Sequence, residues 1–127
     1  MSFASSPVRP MFIAHIAVVV SMSLLAVISG TAKLRQTRHV VKMINEVVGV
    51  PLKWFPWLAA CEFAGAVGLL IGLAWRPIGL AAAIGLTLYF LGALLAHVRV
   101  RDLEGMGAPA FLLALAIACL ITRLFGA

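Results

Sequence analysis

The 127-residue chain is 64% hydrophobic and only 11% charged, with ten Lys and Arg against four Asp and Glu. Soluble proteins carry about a quarter charged residues, so this balance excludes a soluble globular domain and reads as an integral membrane protein. The net charge of +6 calls for no nucleic acid, because the basic residues flank apolar runs, where they meet lipid headgroups and set topology.

Four apolar runs, at about 11–32, 54–75, 78–98 and 108–125, predict an all-α polytopic membrane protein with a four-transmembrane-helix bundle. A helix needs roughly 20 apolar residues to cross the hydrocarbon, which the first three runs supply in full. Together the runs occupy most of 1–127, so the expectation is a single transmembrane domain with no separate soluble one.

The first run, from Met11 to Ile28 and on to Ala32, is longer than the apolar region of a cleavable signal, and a basic cluster follows it directly; it is read as a retained span. His15 and Lys33 lie five helical turns apart and share a face with Met22, Ala26 and Ser29, which should look into the bundle. After it, Leu34–Val50 interleaves Val40, Val41, Met43, Ile44, Val47 and Val48 with Arg38, His39, Lys42, Asn45 and Glu46. Spacings of three and four suit an amphipathic helix lying in the membrane interface, and Gly49 and Pro51 end it.

Trp54 and Trp57 at one end of the second run and Trp75 at the other mark the headgroup boundaries that indole rings prefer. Within that run Gly65, Gly68 and Gly72 form a stripe of small residues, as do Gly85, Gly92 and Ala96 in the third. Such stripes let helix backbones approach closely in lipid, either inside one bundle or between copies in a homo-oligomer. The connection Trp75–Arg76–Pro77 is so short that spans two and three must form an antiparallel hairpin. In the fourth run Ala110–Thr122 is continuous before Arg123, and Cys61 and Cys119 sit singly in apolar helix, without redox or metal spacing.

Glu62 is the only acidic residue inside the long apolar runs. A carboxylate in hydrocarbon costs on the order of 3 kcal/mol by insertion scales, so it is neutralised, paired or turned toward a polar cavity. If the spans alternate, Lys33 at the end of span one and His97 at the end of span three lie in the same half of the bilayer as Glu62. The three are candidates for a structural ion pair, a ligand-binding site or a proton path. No HExxH, GxSxG, glycine-rich phosphate loop or acidic metal cluster is present, so no residue is assigned to catalysis and none to a metal.

Alternating spans put Lys33, Arg35, Arg38, Lys42, Lys53, Arg99 and Arg101 on one side and Arg9, Arg76 and Arg123 on the other. The positive-inside rule then places the connections 33–53 and 99–107 in the cytoplasm and both termini outside a cell membrane.

The pattern Ser29–Gly30–x–x–Lys33–Leu34 closing the first span, Glu62–x–x–Gly65–x–x–Gly68–Leu69 in the second and Ala96–His97–x–Arg99 closing the third resembles the DoxX-like family of small four-helix membrane proteins. The resemblance covers the chain in order and span number. It implies a four-helix bundle with Lys33, Glu62 and His97 as its polar positions and Gly30 and Gly65 as packing positions. It also implies association with oxidoreductase systems, as in a thiosulfate:quinone oxidoreductase membrane subunit and a complex handling oxidative and thiol stress. The chain itself carries no haem-ligand pair or cysteine motif, so an electron-transfer role requires a bound quinone or a partner protein. Three functions follow: a membrane subunit or accessory of an oxidoreductase that binds a quinone or lipid-like molecule in the bundle, a small proton-coupled transporter, and a structural or assembly protein without chemistry of its own.

Overall fold

The computed structural model describes residues 8–125, and these form helices joined by short connections. Four are long: α1 (Val8–Arg35), α3 (Phe55–Ile71), α4 (Arg76–Arg99) and α5 (Gly107–Phe125). Each has the length and apolar composition of a membrane span. Between α1 and α3 lies a short helix, α2 (Arg38–Val40), which runs into a π-helical segment, Val41–Val48, and then a 3₁₀ turn, Leu52–Trp54.

The spans close into a ring in which α1 packs on α3, α3 on α4, α4 on α5 and α5 back on α1. The core they share is narrow: Val19, Met22 and Ala26 from α1, Ala66 and Leu69 from α3, Ala83, Leu86 and Phe90 from α4, Ala116 and Cys119 from α5. Around it Ile13, Leu24, Ile28, Val67, Leu70, Leu88, Leu95 and Phe111 are exposed. A soluble bundle would put charge at those positions, whereas helices apolar all round belong in lipid.

Close approach of α3 and α4 depends on glycine. A Cβ on Gly65 would strike Leu86, one on Gly68 would strike Ala82, and one on Gly72 would run into the backbone of Gly79. The α4 surface that meets this stripe is therefore Gly79–Ala82–Leu86. Gly85 and Gly92, which the sequence pattern grouped as a second stripe, have open space beside them and are exposed. The second span is also shorter than expected: α3 ends at Ile71, a turn covers 72–74, and Trp75 is the extended residue before α4.

Two connections are set by a shared device. At the end of α1, Gln36 adopts φ 49°, Gln36 N–H donates to the Lys33 carbonyl and Thr37 N–H to the Ala32 carbonyl. At the end of α4, Arg101 adopts φ 56°, Arg101 N–H donates to Val98 and Asp102 N–H to His97. Both are Schellman motifs, which satisfy the last carbonyls of a helix through a left-handed residue that is usually glycine.

Gly72→Ala should lower the stability of the detergent-solubilised protein by about 1–3 kcal/mol, the usual cost of overpacking. Gly85→Ala, with open space beside it, should leave the thermal midpoint unchanged or raise it; circular-dichroism melting in mild detergent measures both.

Candidate functional site

Helical side chains lean toward the N-terminus of their own helix, so Lys33, on the last turn of α1, reaches back into the bundle rather than out to the headgroups. Its Nζ donates to Ser29 Oγ, one turn earlier, at 2.8 Å and to Glu62 Oε1 and Oε2 on α3 at 3.2 and 3.1 Å. Ser29 Oγ in turn donates to Glu62 Oε1 at 2.8 Å. An ammonium has three N–H groups, and here each has an acceptor. Glu62 is 0% exposed and Lys33 7%, so the pair is buried in the protein. Beside it, Gly30 of α1 lies against the Phe63 ring, which brings α3 close enough for the ions to meet.

His97 does not join them. Its Nδ1 lies 2.9 Å from Asp102 Oδ2, and Asp102 Oδ1 accepts the N–H of Gly105 at 3.1 Å. The Schellman turn at the end of α4 is what carries the Asp102 carboxylate back to the ring of His97, five residues behind it. Gly105 is buried, and a Cβ there would collide with both Asp102 and Met43, so only glycine lets this loop lie against the π-helical segment.

Between the two polar clusters lies a cavity of about 380 Å³. Lys33 and Ser29 form part of one wall; Tyr89, Phe90, Gly92, Ala93, Ala96 and His97 of α4 form another; Ala108, Pro109 and Leu112 of α5 close the side. The roof is the amphipathic segment, through Val40, Met43, Ile44 and Val48. Hydrogen bonding from i to i+5 widens the turn, so residues four apart such as Val40, Ile44 and Val48 stay nearly aligned on its inner side. Arg99 ties the roof to α4 by donating to the Val48 carbonyl at 3.4 Å, and Asn45 Nδ2 secures its end on the Val50 carbonyl.

The structure thus brings Lys33 together with Glu62 and leaves His97 across the cavity from them. Glu62 lies behind Lys33 and does not line the cavity. The sequence reading picked out no role for Tyr89, the one tyrosine of the chain, or for Gly105. The signal for Tyr89 was its place on α4 two turns before His97, in a run that apart from Thr87 is apolar.

Polar groups at the other end of the bundle serve packing. His15 Nδ1 meets Thr122 Oγ1 at 2.6 Å, and buried Arg123 turns inward to donate to the Gly72 carbonyl, capping α3. The inward position of His15 is the one its shared face with Lys33 and Met22 predicts, whereas Arg123 was counted among the charges outside the bundle. Cys61 is exposed on α3 and Cys119 buried on α5, and both are free thiols.

A ring of four lipid-facing helices, with a buried ion pair beside an apolar cavity at one end, defines a multi-pass integral membrane protein. Residues 17–119 match the model of the DoxX-like family, and the chain belongs to that family. No curated protein and no solved structure matches it.

Lys33→Met, which strands the Glu62 carboxyl, should cost about 3–5 kcal/mol of stability, as removal of one member of a buried pair does. The double variant Lys33→Met/Glu62→Leu should recover most of that loss. Unfolding of the single and double variants in mild detergent tests this, and a double variant as unstable as the single one would contradict it.

Proposed function

We propose that the protein binds a quinone or similarly lipid-like molecule in the cavity beneath the amphipathic segment and serves as a membrane subunit or accessory of an oxidoreductase system. The cavity itself carries the proposal. At about 380 Å³ it falls within the roughly 300–1,000 Å³ of small-molecule sites, and its composition, apolar walls with a few placed polar groups, is theirs as well. Its position at the end of the spans, under an interfacial segment, suits a molecule with a polar ring and an apolar tail that reaches it from the bilayer.

A proton-coupled transporter is less well supported. Between the Lys33–Glu62 cluster and the His15–Thr122 contact stand Val19, Met22, Ala66, Leu69 and Leu86, all buried and apolar, and the buried Ser23 hydroxyl at that level is spent on the Ala66 carbonyl. The electrons of an oxidoreductase would come from a partner, since Cys61 and Cys119 lie apart in exposure and helix and form no redox pair.

For orientation, the cavity end carries Arg35, Arg38, Lys42, Lys53, Arg99 and Arg101, all exposed. Because Arg123 is turned into the bundle, the opposite end is weaker in charge than the sequence count suggests. The positive-inside rule therefore favours a cytoplasmic cavity end in a cell membrane.

Purified in mild detergent, the wild type should retain an isoprenoid quinone or other apolar lipid detectable by mass spectrometry. Ala96→Phe, which fills the cavity, should lose at least about tenfold in occupancy, or ~1.4 kcal/mol. Equal retention by both proteins, at equal thermal midpoints, would place the molecule outside the cavity and sink the proposal.

A further inference from the structure

Taking the cavity as a binding site, as proposed above, its polar groups differ in what they have left to offer. Lys33 lines the wall, yet its three N–H groups already have Ser29 Oγ and both Glu62 oxygens as acceptors, and its charge is cancelled by Glu62. Tyr89 lines the same cavity, and among the described residues its hydroxyl makes no hydrogen bond; its ring is held edge-on to Phe90 with centroids 4.9 Å apart. His97 has one ring nitrogen committed to Asp102, which leaves Nε2 for whatever enters.

We infer that the headgroup in this cavity is uncharged, that it is held through its oxygens by Tyr89 Oη and His97 Nε2 on α4, and that Asp102 is a positioning residue which fixes the proton of His97. The charges around the cavity support an uncharged headgroup. Lys33 is matched by Glu62 and His97 faces Asp102, so the walls of α1 and α4 offer an anionic headgroup such as a fatty-acid carboxylate no uncompensated cation; the other titratable group lining the cavity is His39, exposed at the start of the roof segment. Eight residues separate Tyr89 from His97, roughly 12 Å along the helix axis, with Phe90, Gly92, Ala93 and Ala96 between them on the cavity wall. That stretch of wall is apolar, with a hydrogen-bonding group at each end, as a ring bearing two oxygens requires.

Asp102 gives the site a preference between two forms of such a ring. An ionised carboxylate only accepts, so His97 Nδ1 must carry the hydrogen that faces Asp102 Oδ2. In neutral imidazole the other nitrogen is then a bare acceptor. It therefore meets a ligand hydroxyl better than a ligand carbonyl. Asn in place of Asp102 keeps an acceptor for Gly105 N–H but can donate to Nδ1, which moves the histidine hydrogen to Nε2 and reverses the preference.

The test uses the full chain in mild detergent with Trp57→Phe and Trp75→Phe, so that Trp54 on the cavity rim is the fluorescent reporter. The probes are a short-chain benzoquinone, its hydroquinone held reduced under argon, and oleate, at about pH 9, where a histidine is neutral. Saturable quenching by the two neutral probes is expected, with the hydroquinone bound more tightly and oleate the weakest competitor. Tyr89→Phe and His97→Phe should each raise the hydroquinone Kd by about 5–30-fold, as loss of one hydrogen bond does. Gly85→Ala, on the open side of α4 and outside the cavity lining, should stay within about twofold of the parent. Asp102→Asn should invert the ratio of the two Kd values rather than raise both.

The inference is overturned if oleate binds most tightly, if Tyr89→Phe and His97→Phe bind the hydroquinone as Gly85→Ala does, or if Asp102→Asn leaves the ratio unchanged. Ala96→Phe separates the two levels of the argument. If it abolishes quenching while the α4 variants do not, the cavity binds and this assignment of its polar contacts is wrong. If it changes nothing, the cavity reading and this inference fall together.

Discussion

The Lys33–Glu62 ion pair is the constraint from which the rest of the bundle follows. Hydrocarbon offers a carboxylate nothing, so α3 has only the rotations about its axis in which Glu62 finds a donor. A shift by one residue, about 100° of rotation, would bring Cys61 or Phe63 toward Lys33 and turn the carboxyl toward lipid. With α3 fixed, Gly65, Gly68 and Gly72 face α4 and seat it by Leu86, Ala82 and Gly79. Once α4 is seated, Tyr89, Phe90 and His97 are the residues it turns to the cavity. One polar contact in an apolar medium thus sets a register that glycine packing transmits across the ring. The Ser29 hydroxyl closes the cluster by accepting from Lys33 and donating to Glu62, so the pair carries its own solvation.

Much of this was legible in the sequence because membrane helices obey simple constraints. Span lengths, the glycine stripe of the second span and the isolation of Glu62 each follow from what lipid cannot do: hydrogen-bond a backbone or solvate a charge. The resemblance carried by Gly30, Lys33, Glu62, Gly65 and His97 led to the family. The pairing of Lys33 with Glu62 was one of several outcomes, because depth counted along the helix axis put Lys33 near the boundary. The lean of helical side chains toward the N-terminus, which returns Nζ to the level of Ser29, supplies the missing reach.

Less legible were the positions set by backbone turns. Gln36 and Arg101 occupy left-handed conformations that glycine normally marks, and neither residue type signals this. Without the turn at Arg101, Asp102 reads as one more charge in a flanking patch. With it, Asp102 becomes the partner of His97 and an anchor for Gly105. The stripe in the third span misled for a related reason: spacing alone cannot say which face of a helix apolar all round will meet a neighbour. Gly85 ended on the open side, and Gly92 contributes room to the cavity. The π-helical winding of Val41–Val48 was equally hidden, since its apolar spacing also fits an α-helix.

The two ends of the bundle are built on opposite principles. At one, α3 and α4 are joined by a turn of a few residues, Gly72 and Gly79 touch through their backbones, and Arg123 and His15 draw α5 onto α3 and α1. At the other, the chain between α1 and α3 is long and half-exposed, and it rests on the bundle through few polar contacts, chiefly Arg99 on the Val48 carbonyl. Regions with few buried contacts open at lower free energy than the core. The roof over the cavity is such a region, while the ion pair beneath it is buried and braced by Ser29. Opening of that region would break none of the glycine contacts that seat α4 on α3.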